Sequence, residues 1–270
     1  MPTSRLFIDA HVHIADASGL DAVADAGVAA VRDAGLRDNA GRRSLRANGR
    51  VRVVTAGRAL YKEGGYGARF GVTVKTRDAI AHEIIKLKNA GAGIIKAMAS
   101  GMVSLKNPGT ITHGGFERDE LALIVSEAAH HGLGVMAHAN GEASILACAE
   151  AGVRSIEHGF FMTERALDLM AEKRIYWVPT VGALARAAAS GKASPEAKAF
   201  ARELVRSHLT MIGHAHAIGV PLAVGTDCVL PDSRYRDVYD AERAYFEQAG
   251  IPRDEVMRIA CEDGARLLGL

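Results

Sequence analysis

Cysteine is scarce: Cys148, Cys228 and Cys261 are the only three in 270 residues, widely spaced and outside any CxxC pattern. That excludes a disulfide framework and a thiolate zinc site, and suggests reduced thiols of a cytoplasmic protein. Charge of one sign is missing as well. Thirty-three Lys and Arg offset 31 Asp and Glu for a net charge of +2, with no long block of either sign. Neither nucleic acid nor an anionic membrane finds an electrostatic footprint here. Polar residues interrupt every apolar stretch well before the ~20 residues of a membrane span. Residues Met1 to Asp9 also lack the basic-then-apolar order of an export signal. A small molecule is therefore the expected partner, and a homo-oligomer stays open. No linker or composition shift divides the chain, so one domain is expected over residues 1–270.

What is present is alternation. Short apolar runs and longer amphipathic stretches succeed one another, the pattern of βα units around a parallel sheet. Expected strands are Leu6 to Ile14, Val28 to Asp33, Val51 to Ala56, Gly93 to Met98, Gly134 to Ala139, Ser155 to His158, Tyr176 to Thr180 and Pro221 to Asp227. Helices are expected at Arg77 to Ala90, Glu117 to His131, Glu142 to Ala151, Thr163 to Lys173, Pro195 to Ile218 and Tyr235 to Ala249, with a closing helix over Pro252 to Leu270. Gly91, Gly132, Gly152 and Gly219 each stand between a helix and a strand, where a residue tolerant of positive φ ends a helix. Gly35 to Arg50 is polar and weakly periodic and marks the least distinct helix. The fold class is α/β, an eight-stranded (β/α)₈ TIM barrel in a single domain.

Chemistry-bearing side chains gather at the carboxyl ends of these strands. His11 and His13 are two apart on the first, so both point to one face. Lys96 follows Gly93-Ile94-Ile95, His138 ends Val135-Met136-Ala137, His158 ends Ser155-Ile156-Glu157, and Asp227 follows Ala223-Val224-Gly225-Thr226. Singly, each reads as a satisfied buried polar group. Together, at the face on which barrel enzymes build their sites, they read as metal ligands.

These pieces resemble the amidohydrolase superfamily: Asp9-Ala10-His11-Val12-His13, Ile95-Lys96-Ala97-Met98-Ala99-Ser100-Gly101, Ala137-His138-Ala139-Asn140-Gly141, Ile156-Glu157-His158-Gly159, Val178-Pro179-Thr180 and Gly225-Thr226-Asp227. The resemblance is to the imidazolonepropionase-like and prolidase-like (Xaa-Pro dipeptidase-like) branch with a carboxylated bridging lysine. It implies two divalent metal ions, with zinc expected and manganese, cobalt and iron also fitting such ligands. His11, His13 and Asp227 would hold the more buried ion, His138 and His158 the more exposed one, with carboxylated Lys96 between them. An unmodified ammonium has no lone pair to offer, whereas a carbamate has two anionic oxygens. Many relatives carry a small β-sandwich, which is not expected here. Asn140 stands near where single-metal deaminases carry a proton-shuttling glutamate, and Cys228 follows Asp227 as an expected packed thiol.

The implied reaction is hydrolysis of an amide C–N bond by a metal-bridged hydroxide, with Asp227 as the catalytic proton carrier. A dipeptide or N-acyl amino acid is the leading substrate. Alternatives are a heterocycle deaminase, a cyclic amidase or imidazolonepropionase-like ring-opening enzyme, a lactonase, and, in another class, an inactive barrel that binds. Loop residues Arg58, Tyr61, His113, Arg234 and Tyr235 are the expected substrate contacts, with Lys62, Arg69 and Lys106 as further cations for a carboxylate. The first two lie in a segment from Arg58 to Arg69 that reads as a flexible, partly basic loop and also holds Tyr66.

Overall fold

The computed structural model describes residues 6–37, 49–189, 191 and 193–270. Most of the weakly periodic Gly35 to Arg50 stretch lies outside them. Strands β1 (Phe7–Ile14), β2 (Val28–Asp33) and β3 (Arg52–Thr55) run in parallel, with β1 also paired to β10 (Cys228–Leu230). A second parallel sheet has the order β5 (Gly71–Val74), β4 (Ala59–Lys62), β6 (Ile95–Met98), β7 (Val135–Ala139), β8 (Ser155–His158), β9 (Tyr176–Val178). Every residue of β6, β7 and β8 is buried, so the polar side chains they carry, Lys96, His138, Ser155, Glu157 and His158, are held away from solvent.

Backbone hydrogen bonds join the two sheets at both seams. On one side Gly93 N donates to Thr55 O at 2.9 Å. On the other, Trp177 N donates to Pro221 O (2.9 Å), Ala10 N to Val224 O and Asp227 N to His11 O (both 2.8 Å). The segment expected as a regular strand over Pro221 to Asp227 is thus a bridge that bonds β9 at its start and β1 at its end. Between an isolated bridge at Leu222 and β10 it has no regular ladder, and Asp227 at its end adopts a left-handed φ of 51°.

Helices α2 (Arg77–Asn89), α3 (Arg118–His130), α4 (Glu142–Ala151), α5 (Glu164–Lys173), α7 (Pro195–Ala217) and α8 (Tyr235–Gln248) fall close to their expected places. Their starts are chemically marked. Thr76, Thr163 and Ser194 accept hydrogen bonds from the third residue on, and Glu117 with Glu120 forms a capping box. The four glycines expected at helix ends all have positive φ. Two short helices, α1 (Gly19–Asp25) and α6 (Val181–Ala189), and the β4–β5 pair escaped the periodicity argument. The stretch read as a flexible loop around Arg58 to Arg69 begins instead with β4, and β5 lies tight against it. A Cβ on Gly71 would sit 1.7 Å from the Ala59 carbonyl oxygen, so only glycine lets these strands meet. The closing helix is split into α9 (Arg253–Arg258), a π turn (Ile259–Asp263) and α10 (Gly264–Leu268). The extra residue in that turn re-phases the chain so that Ile259, Ala260 and Leu267 are all buried.

Candidate metal centre

His11, His13, Lys96, His138, His158 and Asp227 all line one cavity of about 430 Å³ at the carboxyl ends of the strands. His11 Nε2 and His13 Nε2 lie 3.5 and 3.3 Å from Asp227 Oδ1. These three residues can offer ligand atoms within 4.8 Å of one another. The His158 ring lies 5.1 Å from that of His11 and 4.5 Å from that of His138.

The ring orientations follow from acceptors that can only accept. His11 Nδ1 is 2.6 Å from Glu157 Oε2, and His13 Nδ1 is 2.6 Å from the Gly35 carbonyl oxygen. Each Nδ1 therefore carries the proton and each Nε2 a bare lone pair facing Asp227. His138 meets the Gly101 carbonyl oxygen through Nε2 at 3.0 Å, which leaves its Nδ1 as the nitrogen without a proton. His158 Nδ1 is 2.7 Å from Thr180 Oγ1. Burial, then the Lys96 charge, lowers His11 to about 4 and His138 to about 3; burial and His138 push His158 well below its usual value. All three are neutral at pH 7, as a ligand must be.

At this site two buried atoms find no hydrogen-bond partner among the described residues: His11 Nε2 and Lys96 Nζ. Burial lowers Lys96 to about 8, although Glu157 and Asp227 pull the other way. Burial also opposes ionisation of Asp227, but its close neighbours His13, His11 and His158 outweigh it and hold the carboxyl well below its ordinary range. His158 and Asp227, with φ of 65° and 51°, occupy left-handed conformations costly for side-chain-bearing residues, and such strain clusters at functional sites. Gly225 makes room for the first histidine, since a Cβ there would fall 2.9 Å from His11 Cβ and 2.4 Å from Val178 Cγ1.

Beneath the site, Glu157 is also bound by Arg32, whose Nη2 donates to Oε1 at 2.8 Å while Nε donates to Ala10 O. Both side chains are fully buried. Burial works against the Glu157 charge, yet Arg32 and His11 lower its pKa to about 2. Glu157→Gln should cost about 3–5 kcal/mol in urea unfolding, because it leaves Arg32 buried without a counter-charge. Glu157 binds its proton less readily folded than unfolded, so its stabilising contribution is complete above its ordinary 4.5 and lost as pH falls toward 2. The acid limb of the stability profile should flatten in the variant.

The expected substrate contacts are placed differently from the ligands. Tyr235 is fully buried and donates its hydroxyl to Asp9 Oδ2 at 3.0 Å, because the first turn of α8 directs it under β1. Arg58 is turned to Glu83 on α2 at 2.8 Å. Arg234 is largely exposed at the cap of α8, and Tyr61 lies on β4. His113 borders a separate cavity of about 300 Å³ with Lys62 and Glu63. None of these five is among the residues lining the main cavity. Cys228 is likewise off the cavity, its thiol 3.6 Å from Asp232. The walls come from Tyr66, Phe70, Met98 and Phe160, from α6 through Ala183, Leu184 and Ala187, and from residues 102–106 with Thr112. Residues 102–112 fold back on themselves through an antiparallel bridge between Val103 and Ile111. Sequence reasoning missed these walls apart from Tyr66 and Lys106, and the Gly- and Thr-rich run from Gly109 to Gly115 was the available sign of a shaped loop.

Residues 7–270 match the amidohydrolase family, and the chain belongs to it. It is similar to ochratoxinase of Aspergillus niger, 37% identical over 139 residues that make up 51% of this chain and 29% of the ochratoxinase. It thus spans less than a third of that relative's length in the match. An uncharacterized protein of Mycobacterium bovis is 27% identical over 224 residues, 81% of this chain and 58% of the relative. Among solved structures, a prolidase complexed with N-methylphosphonate-L-proline superposes with a TM-score of 0.82 at 25% identity, over 98% of this chain and 74% of the prolidase. Members of the family generally bind divalent metals.

Proposed function

We propose that the chain is a binuclear metal-dependent hydrolase that breaks the amide C–N bond of an N-acyl amino acid or dipeptide carrying a large apolar group. The observation that carries this reading is the meeting of His11, His13 and Asp227 beside an unpartnered Lys96 Nζ, at the base of a mainly apolar cavity. The relatives named ochratoxinase and prolidase support amide hydrolysis as the reaction class.

The donor set fits divalent cations, zinc foremost: bare imidazole nitrogens and a carboxylate. His11, His13 and Asp227 would hold one ion, and His138 and His158 a second. Lys96 would complete this ligand set as a carbamate, formed when its neutral amine nitrogen bonds the carbon of CO₂ and releases one proton. A lysine held near 8 keeps a useful fraction of that amine at neutral pH. Bound there, the cations supply an acidified water and polarise the substrate carbonyl. Asp227, ionised at neutral pH, takes the proton of the attacking water on its carboxylate and passes it to the leaving nitrogen. The C–N bond breaks and the water oxygen stays with the new carboxylic acid. Burial and the Asp227 charge raise Tyr66 above its usual value, so it stays a neutral phenol able to donate a hydrogen bond into the cavity.

Substrate choice follows from the walls. Phe70, Met98, Met102, Val103, Leu105, Phe160 and Leu184 favour an apolar acyl group or side chain, and Lys106, not Arg58 or Arg234, supplies the ammonium for a carboxylate. The test compares N-acyl amino acids with lengthening acyl chains, each as free acid and methyl ester. Four added methylenes should raise kcat/KM by about 200-fold, at about 0.8 kcal/mol per buried methylene. Lys106→Met should lower kcat/KM about 10-fold for acids and leave esters unchanged, the scale of one ionic hydrogen bond. Preference for glycine dipeptides, or turnover of neutral lactones and heterocycles alone, would overturn the reading.

A further inference from the structure

Helix α6 bears none of the six residues discussed, yet it touches the turns that carry two of them. Its first backbone amides are bound from across the fold: Val181 N donates to Glu242 Oε1 and Gly182 N to Glu242 Oε2, both at 2.7 Å. Glu242 lies on α8, fully buried. A carboxylate receiving two helix N-terminal amides fixes that terminus in place, since those amides have no partner within the helix. The residue just before them is Thr180, held at a left-handed φ of 47°, whose hydroxyl meets His158 Nδ1. One turn further along α6, Arg186 Nη2 donates to the carbonyl oxygen of Thr226 at 2.7 Å, immediately before Asp227. The two side chains face the same spot: a Cβ on Gly182 would lie 2.8 Å from Arg186 Nη1 and 2.9 Å from Glu242 Oε2. A larger residue there would part them.

We infer that Glu242 and Arg186 are positioning residues, a clasp on the start of α6 that sets His158 through Thr180 and Asp227 through Thr226. As the ligand roles of those two residues belong to the function proposed above, the functional consequence rests on that reading; the geometric one does not. An ordinary helix-to-helix contact would need only apolar packing. A fully buried carboxylate is costly, and burial raises Glu242 to about 8 despite its two amide donors and Arg186. That cost falls where the strained turn at Thr180 must be held.

The test uses Glu242→Gln and Arg186→Met, with Arg186→Lys as the conservative variant. Histidine ring ¹⁵N NMR on the metal-free protein reports the His158 tautomer and its hydrogen bond without any reaction. The expected result is one sharp His158 ring state in the wild type, averaged or altered states in Glu242→Gln and Arg186→Met, and partial recovery in Arg186→Lys. Zinc affinity of the two damaging variants should fall about 10–100-fold, the usual effect of losing a group that orients a ligand. Variants that melt earlier but keep the wild-type His158 ring signals and zinc affinity would overturn the clasp. A wild type that binds zinc but hydrolyses no amide would overturn the proposed function instead, while the ring signals still decide the clasp.

Discussion

Asp227→Asn is expected to lower kcat by about 10²–10⁴-fold on any amide the wild type hydrolyses, the range for loss of a proton-carrying group. Asparagine keeps the shape and one acceptor oxygen but can neither take up a proton nor bring a negative charge to His11 and His13. The loss should therefore appear in kcat with KM little changed, and metal content should fall along with it. Folding should survive, because Asp227 lies at the rim with its side chain 24% exposed, above the layers that fill the barrel. Steady-state kinetics with metal analysis of the same preparation checks this. Full metal and turnover in Asp227→Asn would remove the residue from the mechanism.

Replacing Lys96 should produce opposite effects on activity and stability. Lys96→Ala is expected to eliminate measurable turnover, and acetate or propionate should restore part of it by supplying the carboxylate that the proposed carbamate would provide. In the metal-free, uncarboxylated protein the same lysine is a liability, because its Nζ is buried without a partner. Its pKa falls from 10.5 unfolded to about 8 folded. At about 1.36 kcal/mol per pKa unit this amounts to about 3 kcal/mol against folding at pH 7. The unfolded chain holds the proton up to the higher value and the folded chain only to the lower, so stability climbs between pH 8 and 10.5 and the full penalty is present below. Lys96→Met should therefore stabilise the metal-free protein against urea at pH 7, with the gain shrinking as pH approaches 10.5. An unchanged urea midpoint would mean that the amine is not held in an apolar setting, and an active Lys96→Ala would dismiss the bridge.

Short-range patterns carried much of the fold. Short strands with apolar residues between amphipathic stretches marked β6 and β7, both fully buried, and the side-chain oxygens of Thr76, Thr163 and Ser194 mark helix starts chemically. His11 and His13 share a face because a strand repeats every two residues. His138 and His158 stand next to or at the ends of buried strands and Lys96 inside one, and the three line one cavity, as the repeating βα order led one to expect.

Tertiary structure alone decided what surrounds them. A basic residue after a strand looks equally available wherever it stands, yet Arg58 is turned to Glu83 and Tyr235 is sealed against Asp9, because partners distant in sequence claim them. The walls were hidden for the same reason: residues 102–112 and α6 are irregular or too short for periodicity to mark, and their directions are set by what they pack against. Glu242 reads in sequence as one more charge on an amphipathic helix. It lies 60 residues from the Gly182 amide it binds, and only the folded chain closes that gap. Local sequence thus determined which side chains would stand at the strand ends, through periods of two and 3.6 residues. The reach of long side chains and the course of irregular segments obey contacts that no local period encodes, so the shape of the cavity and the support behind it belong to the tertiary structure.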